Sequence, residues 1–299
     1  MKISIIIPTY NRATVLERTL PSYLNQKFVK EIIIVDDASV DATEKIVKRF
    51  TDRYNNILYI KQNVREGAPA AKITGINCSR GDLILFGEDD VCFDDNYSTQ
   101  LVECMEKNNA DIVAGRIIYM LENESEEDAI IRCDKIHKPL IEIELLEGNY
   151  SVRTNDDTEV PFVHACYLIR REIFDIIGYD KNYGGNGYRE ETDPQISALK
   201  HGFKIVFCPH AVCYHLPRLK TNKGGQWRMN RLVYEYWTIR NNNYFLKKHY
   251  PFLKEKYKLK HSMYWMMMRF AADRMYKLGH SMAATILRRF CMGRLRGGV

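Results

Sequence analysis

The sequence predicts an α/β protein: a mainly parallel, mixed sheet flanked by helices, followed by a helical C-terminal extension. Three observations predict it. Short continuous apolar runs of strand length recur along the first half of the chain. Between them lie stretches with helical periodicity, long enough to cross from one parallel strand to the next. Each run also ends abruptly in polar or acidic residues, the mark of a strand buried on both faces that reaches water only at its end.

Ile3 to Ile7 is the first run, closed by Pro8. The turn Thr9-Tyr10-Asn11-Arg12 leads into an amphipathic stretch carrying Val15, Leu16, Leu20 and Leu24. Glu31-Ile32-Ile33-Ile34-Val35 reads as the second strand, ended by Asp36-Asp37; Ser39 to Phe50 reads as a helix with Ile46, Val47 and Phe50 on one face. Ile57 to Ile60, Gly67 to Cys78 and Leu83 to Phe86 repeat strand, helix and strand, and the last ends in Glu88-Asp89-Asp90. A helix over Leu101 to Lys107 and a strand starting at Asp111 complete a first half, residues 1–119. Residues 120–160 break the alternation and form an acidic insertion, expected to lie as a flap over the cleft. Val163 to Ile169, a helix with Ile196 and Leu199, and a strand from Phe203 to Cys208 make a second half, residues 161–224. Residues 225–299 are basic, aromatic and Met-rich, and read as helical.

The 299 residues suffice for one large α/β domain plus this extension. The composition, 45% hydrophobic and 27% charged, is that of a globular protein with a substantial core. The eight cysteines show no CxxC pair and no zinc-like spacing to histidine, so buried thiols are expected rather than disulfides or a zinc framework. The N-terminal apolar run is too short for a signal peptide, and no stretch reaches the roughly 18 apolar residues that span a bilayer. The expectation is a cytoplasmic protein. Its net charge of +6 is unevenly placed: beyond about residue 245 the chain is strongly basic, which points to an anionic surface.

In an open parallel sheet, ligands bind outside the carboxyl ends of the strands. Pro8-Thr9, Asp36-Asp37 and Glu88-Asp89-Asp90 all lie at such ends and are expected to surround one cleft. Clustered carboxylates are costly to bury without a counter-ion, and a divalent cation removes that cost. Mg²⁺ takes one or two protein carboxylates and completes its shell with phosphate oxygens and water. Asp90 is the candidate ligand, with Glu88 and Asp89 orienting a ribose or a water. Asp37 is the candidate contact to a nucleotide base, while Asp41 either shares that role or caps the following helix. Arg65 and Lys72 are candidates to neutralise a diphosphate or a carboxylate beside it. Neither a GxxxxGK[ST] nor a GxGxxG motif is present, which disfavours a P-loop and a dinucleotide site. Glu190 and Glu191 follow a glycine-rich segment, and either can serve as general base toward a hydroxyl, with Glu191 preferred. Gly185, Asn186 and Asp193 are expected near the acceptor, unless Asp193 caps its helix. His215 is a candidate third metal ligand or a satisfied strand-end histidine.

Several pieces together resemble the inverting family-2 glycosyltransferases of the GT-A nucleotide-sugar fold, a single Rossmann-like domain. They are Ile5 to Arg12, with Pro8, Thr9, Tyr10 and Arg12 beside the donor; Val35 to Asp41; Gly81 to Asp90; Arg170 to Phe174 with Gly178-Tyr179-Asp180; Glu190 to Asp193; and Pro209 to His215. The ordered set covers roughly residues 1 to 215. The resemblance implies a nucleoside-diphosphate sugar donor, UDP first, bound with Mg²⁺ or Mn²⁺, and direct displacement with inversion. It makes Asp37 the base-contacting aspartate, Asp90 the metal-binding aspartate and Glu191 the acceptor base. Glu88 and Glu191 depart from the family pattern by carrying the longer acid. The stretch Arg240 to Tyr244 with Lys248 to Pro251 resembles the post-catalytic helices of some rhamnosyl- and polysaccharide-type members, so the acceptor implied is a saccharide or, favoured by this stretch, a lipid-linked saccharide.

The extension mixes Lys254 to Arg296 with Tyr264, Trp265, Met266, Met267, Met268, Phe270, Ile286, Leu287 and Phe290. Two readings stand for it: peripheral attachment to the cytoplasmic face of an anionic membrane, or packing in a homo-oligomer. A nucleic-acid-binding protein leaves the strand-end carboxylates unexplained, so no nucleic-acid partner is expected. A metal-dependent nucleotidyltransferase is the nearer rival, but it calls for a glycine-rich phosphate loop where the chain has Pro8 to Arg12.

Overall fold

In a computed structural model, residues 1–217 and 229–295 are described, with side chains to residue 280. The first half runs β1 (Ile3–Thr9), α1 (Ala13–Leu24), β2 (Val29–Asp36), α2 (Thr43–Thr51), β3 (Ile57–Lys61), α3 (Ala68–Cys78), β4 (Leu83–Phe86), β5 (Val91–Phe93), α4 (Tyr97–Lys107) and β6 (Ile112–Tyr119). The insertion holds α5 (Glu126–Asp134), the short pair β7 (Ile141–Glu142) and β8 (Glu147–Gly148), and β9 (Thr158–Glu159). The second half holds β10 (Tyr167–Arg170), α6 (Thr192–Lys200) and β11 (Ile205–His215), and two long helices follow, α7 (Arg231–Tyr257) and α8 (Met263–Leu295).

The strands join in the order β3-β2-β1-β4-β10-β6-β11-β5, with β9 on β11. β1, β2, β3 and β4 are parallel, as are β6 and β11, while β10 runs antiparallel between β4 and β6. The sheet is therefore mixed and mainly parallel, as the sequence predicts. The continuous apolar runs have a direct cause. Ile6, Ile33, Ile84 and Phe86 belong to the core on one face, while Ile5, Ile7, Ile32, Ile34 and Leu85 belong to the core on the other. Successive side chains point to opposite faces, so both must be apolar when helices cover both.

After β1 the chain goes outward to β2 and β3, then returns to place β4 on the other side of β1. The gap between β1 and β4 is the topological switch point, where such sheets bind ligands. The ends of β1, β2 and β4 open there together.

The extension shares the main core. Phe245, Leu246 and Leu253 of α7 and Met266 and Met267 of α8 pack in the cluster that contains Ile6 and Phe86. The expected boundary between residues 224 and 225 lies outside the described residues, as do the side chains of Ile286, Leu287 and Phe290. No helix among the described residues is long and apolar enough to cross a membrane. The described cysteines are free thiols, mostly buried.

Candidate active site

The floor of the cleft is set by main-chain hydrogen bonds. Asp37 N–H donates to Thr9 O across the β1 and β2 ends (2.9 Å). Asn11 holds a left-handed conformation (φ 54°) and accepts on Oδ1 from Val40 N–H at 2.8 Å and Asp41 N–H at 3.2 Å, pinning the two strand-end turns together. Asp41 accepts from Thr43 N–H (3.0 Å) and Ala13 N–H (3.2 Å), so it caps two helix starts. Of its two expected roles, capping is the one that the geometry displays.

Asp37 faces the start of α3. Its oxygens accept from Glu66 N–H (2.7 Å) and Gly67 N–H (2.9 Å), and burial raises its pKa despite these bonds. Arg65 lies 4.1 Å over the Tyr10 ring, with Nε 3.8 Å from Asp37 Oδ2, and forms an exposed shelf beside the carboxylate.

The acidic trio is anchored from below. Tyr23 O–H donates to Glu88 O (2.8 Å) and Val91 O (3.0 Å). Gly87 makes room, since a Cβ there would stand 2.7 Å from the Tyr23 ring. Thr9 Oγ1 donates to Asp89 Oδ2 at 2.9 Å, and Leu216 N–H donates to Asp90 O at 2.8 Å. Arg12 is buried between the acids, with Nη2 3.2 Å from Asp90 Oδ2 and Nε 3.5 Å from Asp89 Oδ1. Arg12 thus holds the carboxylates themselves, whereas the sequence expectation put it beside the donor.

Desolvation and then the nearby Asp90 charge push Glu88 up to about 8 and Asp89 up to about 7. Burial thus holds both carboxyls toward their neutral forms despite Arg12 beside Asp89. Asp90 Oδ1 also stands 3.7 Å from His215 Nε2. A carboxylate beside an imidazole, in a pocket crowded with acids, fits a divalent cation. The residues able to hold one are Asp90 and His215, with Asp89 and Glu88 behind. Among the described residues, the one group of three such ligand atoms lying within 4.8 Å of one another is instead Cys104, Asp157 and Cys208, nearer the start of β11, where Lys107 and Asn108 already engage Asp157.

Opposite the trio, neighbouring glutamates differ. Glu190 is buried against Lys72, whose Nζ donates to Glu190 Oε1 at 2.5 Å. Burial opposes the lysine charge, but Glu190 and Glu191 hold its ammonium above its usual range. Lys72, expected at a diphosphate or at a carboxylate beside it, is 2% exposed and takes the second role, on Glu190. Glu191 is half-buried and lines a cavity of ≈ 630 Å³ together with Tyr119, Tyr150, His164, Tyr188 and Arg189. Residues Glu147 to Val152 of the insertion form another wall of it. The Tyr119 ring lies 5.0 Å from the His215 ring and joins the cavity to the acidic site.

Three further expectations are corrected. Asp193 is fully buried, where it accepts from Tyr183 O–H (2.8 Å) and Lys248 Nζ (2.8 Å) and pairs with His249 Nε2 (2.7 Å). It ties α6 to α7 from a position closed to solvent. Asn186 is also buried, donating to Thr238 Oγ1 (2.6 Å), and Gly185 lies under Trp237 with a φ of +65°; both fasten the glycine segment to α7. Sequence reasoning passed over Arg189, Tyr119, Tyr150 and His164. Arg189 donates to Leu146 O (2.6 Å) and Asn242 Oδ1 (3.2 Å), joining insertion, turn and α7. Its positive φ of 72° left no trace in the sequence.

The sequence matches the family described as Glycosyl transferase family 2 over residues 4–178. It is 36% identical over 126 residues to glycosyltransferase GlyA of Streptococcus pneumoniae, covering 42% of this chain and 18% of that protein. It is 36% identical over 110 residues to the GalNAc(5)-diNAcBac-PP-undecaprenol beta-1,3-glucosyltransferase of Campylobacter jejuni, covering 36% and 35%. The chain thus spans well under two thirds of these relatives. The solved mannosyltransferase PcManGT of Pyrobaculum calidifontis, in complex with GDP-Man and Mn²⁺, superposes with a TM-score of 0.61 at 16% identity, covering 98% of this chain and 80% of that one. S. aureus TarS in complex with UDP gives 0.55 at 14% identity, covering 83% and 72%. These two likenesses show a common GT-A fold. The matched residues make up more than half of the chain and contain every strand-end acid of the cleft: the chain belongs to glycosyl transferase family 2.

Proposed function

We propose that the chain is a metal-dependent, inverting glycosyltransferase that moves a sugar from a nucleoside diphosphate to a hydroxyl of a lipid-linked saccharide. The observation that carries this reading is the contrast between the two glutamates. Glu191 presents a carboxylate to a saccharide-sized cavity beside the acidic strand end, while Lys72 neutralises Glu190. Glu191 is therefore the base. It takes the proton of the acceptor hydroxyl as that oxygen bonds to the anomeric carbon, and the bonding pair to the diphosphate departs with the leaving group. One displacement inverts the centre.

Asp37 and the Tyr10–Arg65 shelf receive the nucleoside, with Glu88 near the ribose. Asp90 and His215 are the residues that would hold Mg²⁺ or Mn²⁺, which when bound would supply positive charge to the diphosphate. The imidazole nitrogen favours Mn²⁺ over the oxygen-seeking Mg²⁺. GDP-Man with Mn²⁺ and UDP in the two solved structures support this donor class, and the undecaprenol-linked acceptor in the Campylobacter enzyme's name supports the acceptor class.

The test is incubation with UDP-, GDP- and dTDP-sugars with and without Mn²⁺. A bound donor raises thermal stability only with metal, and transfer releases a nucleoside diphosphate. Asp90→Ala is expected to lower turnover roughly a thousandfold, the several kcal/mol a metal contributes. Release of pyrophosphate would assign the site to nucleotidyl transfer instead, and wild-type turnover in Asp90→Ala would remove Asp90 as ligand.

A further inference from the structure

α8 is apolar on two faces, and only one of them is covered. On the inner face Met266, Met267 and Leu278 are buried. On the outer face Tyr264, Trp265, Met268, Ala272, Met275 and Tyr276 are exposed, with Tyr264 at 72%, Met268 at 73% and Tyr276 at 66%. At 100° per residue these six fall within one arc of about 120° that holds no charged side chain. A helix at a protein surface ordinarily turns a polar face outward. On one side the arc is bordered by the exposed Arg269, with the ion pair of Asp273 and Lys277 beyond it.

The charge of this part of the chain is predominantly positive. Residues 245–280 carry nine Lys and Arg against two acids, Glu255 and Asp273, while the whole chain is only +6. A second copy docked through the same face would bring two such cationic segments together, whereas an anionic lipid surface complements them. Tyr and Trp are the side chains that settle at a membrane–water boundary, with Lys and Arg alongside.

α8 is rigidly placed relative to the cavity. Arg274 forms a two-bond pair with Glu235 of α7 (2.6 and 2.9 Å). The Phe270 ring lies 5.6 Å from Tyr188, which lines the cavity beside Glu191.

We propose that the exposed apolar arc of α8, with its cationic surroundings, seats this chain on an anionic lipid leaflet and so presents the cavity to a lipid-borne saccharide. The second clause rests on the transfer reading; the docking does not.

The experiment is co-sedimentation of the full chain with vesicles of phosphatidylcholine alone or mixed with phosphatidylglycerol. Binding is expected to the mixed vesicles, to weaken with salt, and to fall at least tenfold in the double variant Met268→Asp, Tyr276→Asp, whose melting temperature and turnover of a soluble acceptor stay unchanged. Equal recovery with both lipids, or no binding to either, overturns the proposal. A concentration-dependent dimer that the double variant dissolves assigns the arc to a second copy and overturns it as well. If vesicles bind but no sugar is transferred to any acceptor, docking stands and the transfer reading falls.

Discussion

On the donor wall, Thr9, Asp37 and Asp90 stand at or just beyond the ends of neighbouring strands, and main-chain hydrogen bonds hold each turn. On the acceptor wall, Glu190 and Glu191 are adjacent in sequence yet occupy opposite environments. Glu190 is sealed against a lysine 118 residues earlier, and Glu191 lines the open cavity. Strand topology alone is enough to gather carboxylates on the first wall. The second wall is assembled from the insertion, a glycine turn and α7, so each side chain's role depends on partners far along the chain.

The pair of glutamates gives the largest and clearest contrast. Glu191→Gln is expected to cut kcat by roughly 10²- to 10⁴-fold, the usual worth of a general base, with nucleotide affinity and melting temperature kept. Glu190→Gln leaves the Lys72 ammonium buried without its counter-charge, which costs about 3–5 kcal/mol and lowers the melting temperature. Steady-state kinetics and thermal melts of both variants check this. If instead Glu190→Gln is stable and inactive while Glu191→Gln turns over normally, the two roles are exchanged.

The donor wall was legible because its signals are local. An apolar run that stops at Asp36-Asp37 or Glu88-Asp89-Asp90 places those acids at a strand end without knowledge of anything distant. The acceptor wall was not legible in that way. That Lys72 meets Glu190, or that Lys248 and His249 take the Asp193 carboxylate, follows from helix packing that no sequence spacing encodes. Strand direction hides for the same reason: β10 carries the apolar run expected of any central strand, but nothing in Tyr167-Leu168-Ile169 marks it antiparallel. The family match likewise ends at residue 178, before Glu190 and Glu191. The apolar stripe of α8 was visible as composition, yet which side faces water became clear only with α7 in place.

His164 tests whether the acceptor wall is held as rigidly as its hydrogen bonds suggest. Its Nε2 lies 2.9 Å from Gly115 O, and its Nδ1 accepts from Cys166 N–H at 3.2 Å, so the ring is neutral and protonated on Nε2. Burial lowers its pKa to about 4. Above the ordinary histidine value, folded and unfolded chains are both neutral there and the residue contributes no pH dependence. As pH falls from about 6.5 through about 4 the unfolded chain takes up a proton that the folded chain refuses, removing about 3 kcal/mol of stability. Glu88 and Asp89, raised rather than lowered, shift stability the opposite way, so the histidine's share is read as a difference. Denaturant unfolding of wild type and His164→Gln across this window checks it: the variant's stability falls less steeply toward acid. Parallel curves would mean that the ring is solvated and this wall is loose.

The smallest effect is expected at Arg65, on the donor wall, where a sizeable one would redraw that wall. Its guanidinium is 53% exposed, and its contacts are the Tyr10 face and a 3.8 Å approach to Asp37. Exposed cation–π contacts contribute about 0.5–1 kcal/mol and exposed ion pairs no more than that. Arg65→Ala is therefore expected to weaken nucleoside diphosphate binding only about two- to fivefold by calorimetry, with kcat and melting temperature unchanged. A hundredfold loss would show that Arg65 swings onto the diphosphate when the donor binds, as its sequence position between the strand-end acids suggests. The donor wall would then also take its decisive charge from a mobile side chain, and its contrast with the acceptor wall would narrow.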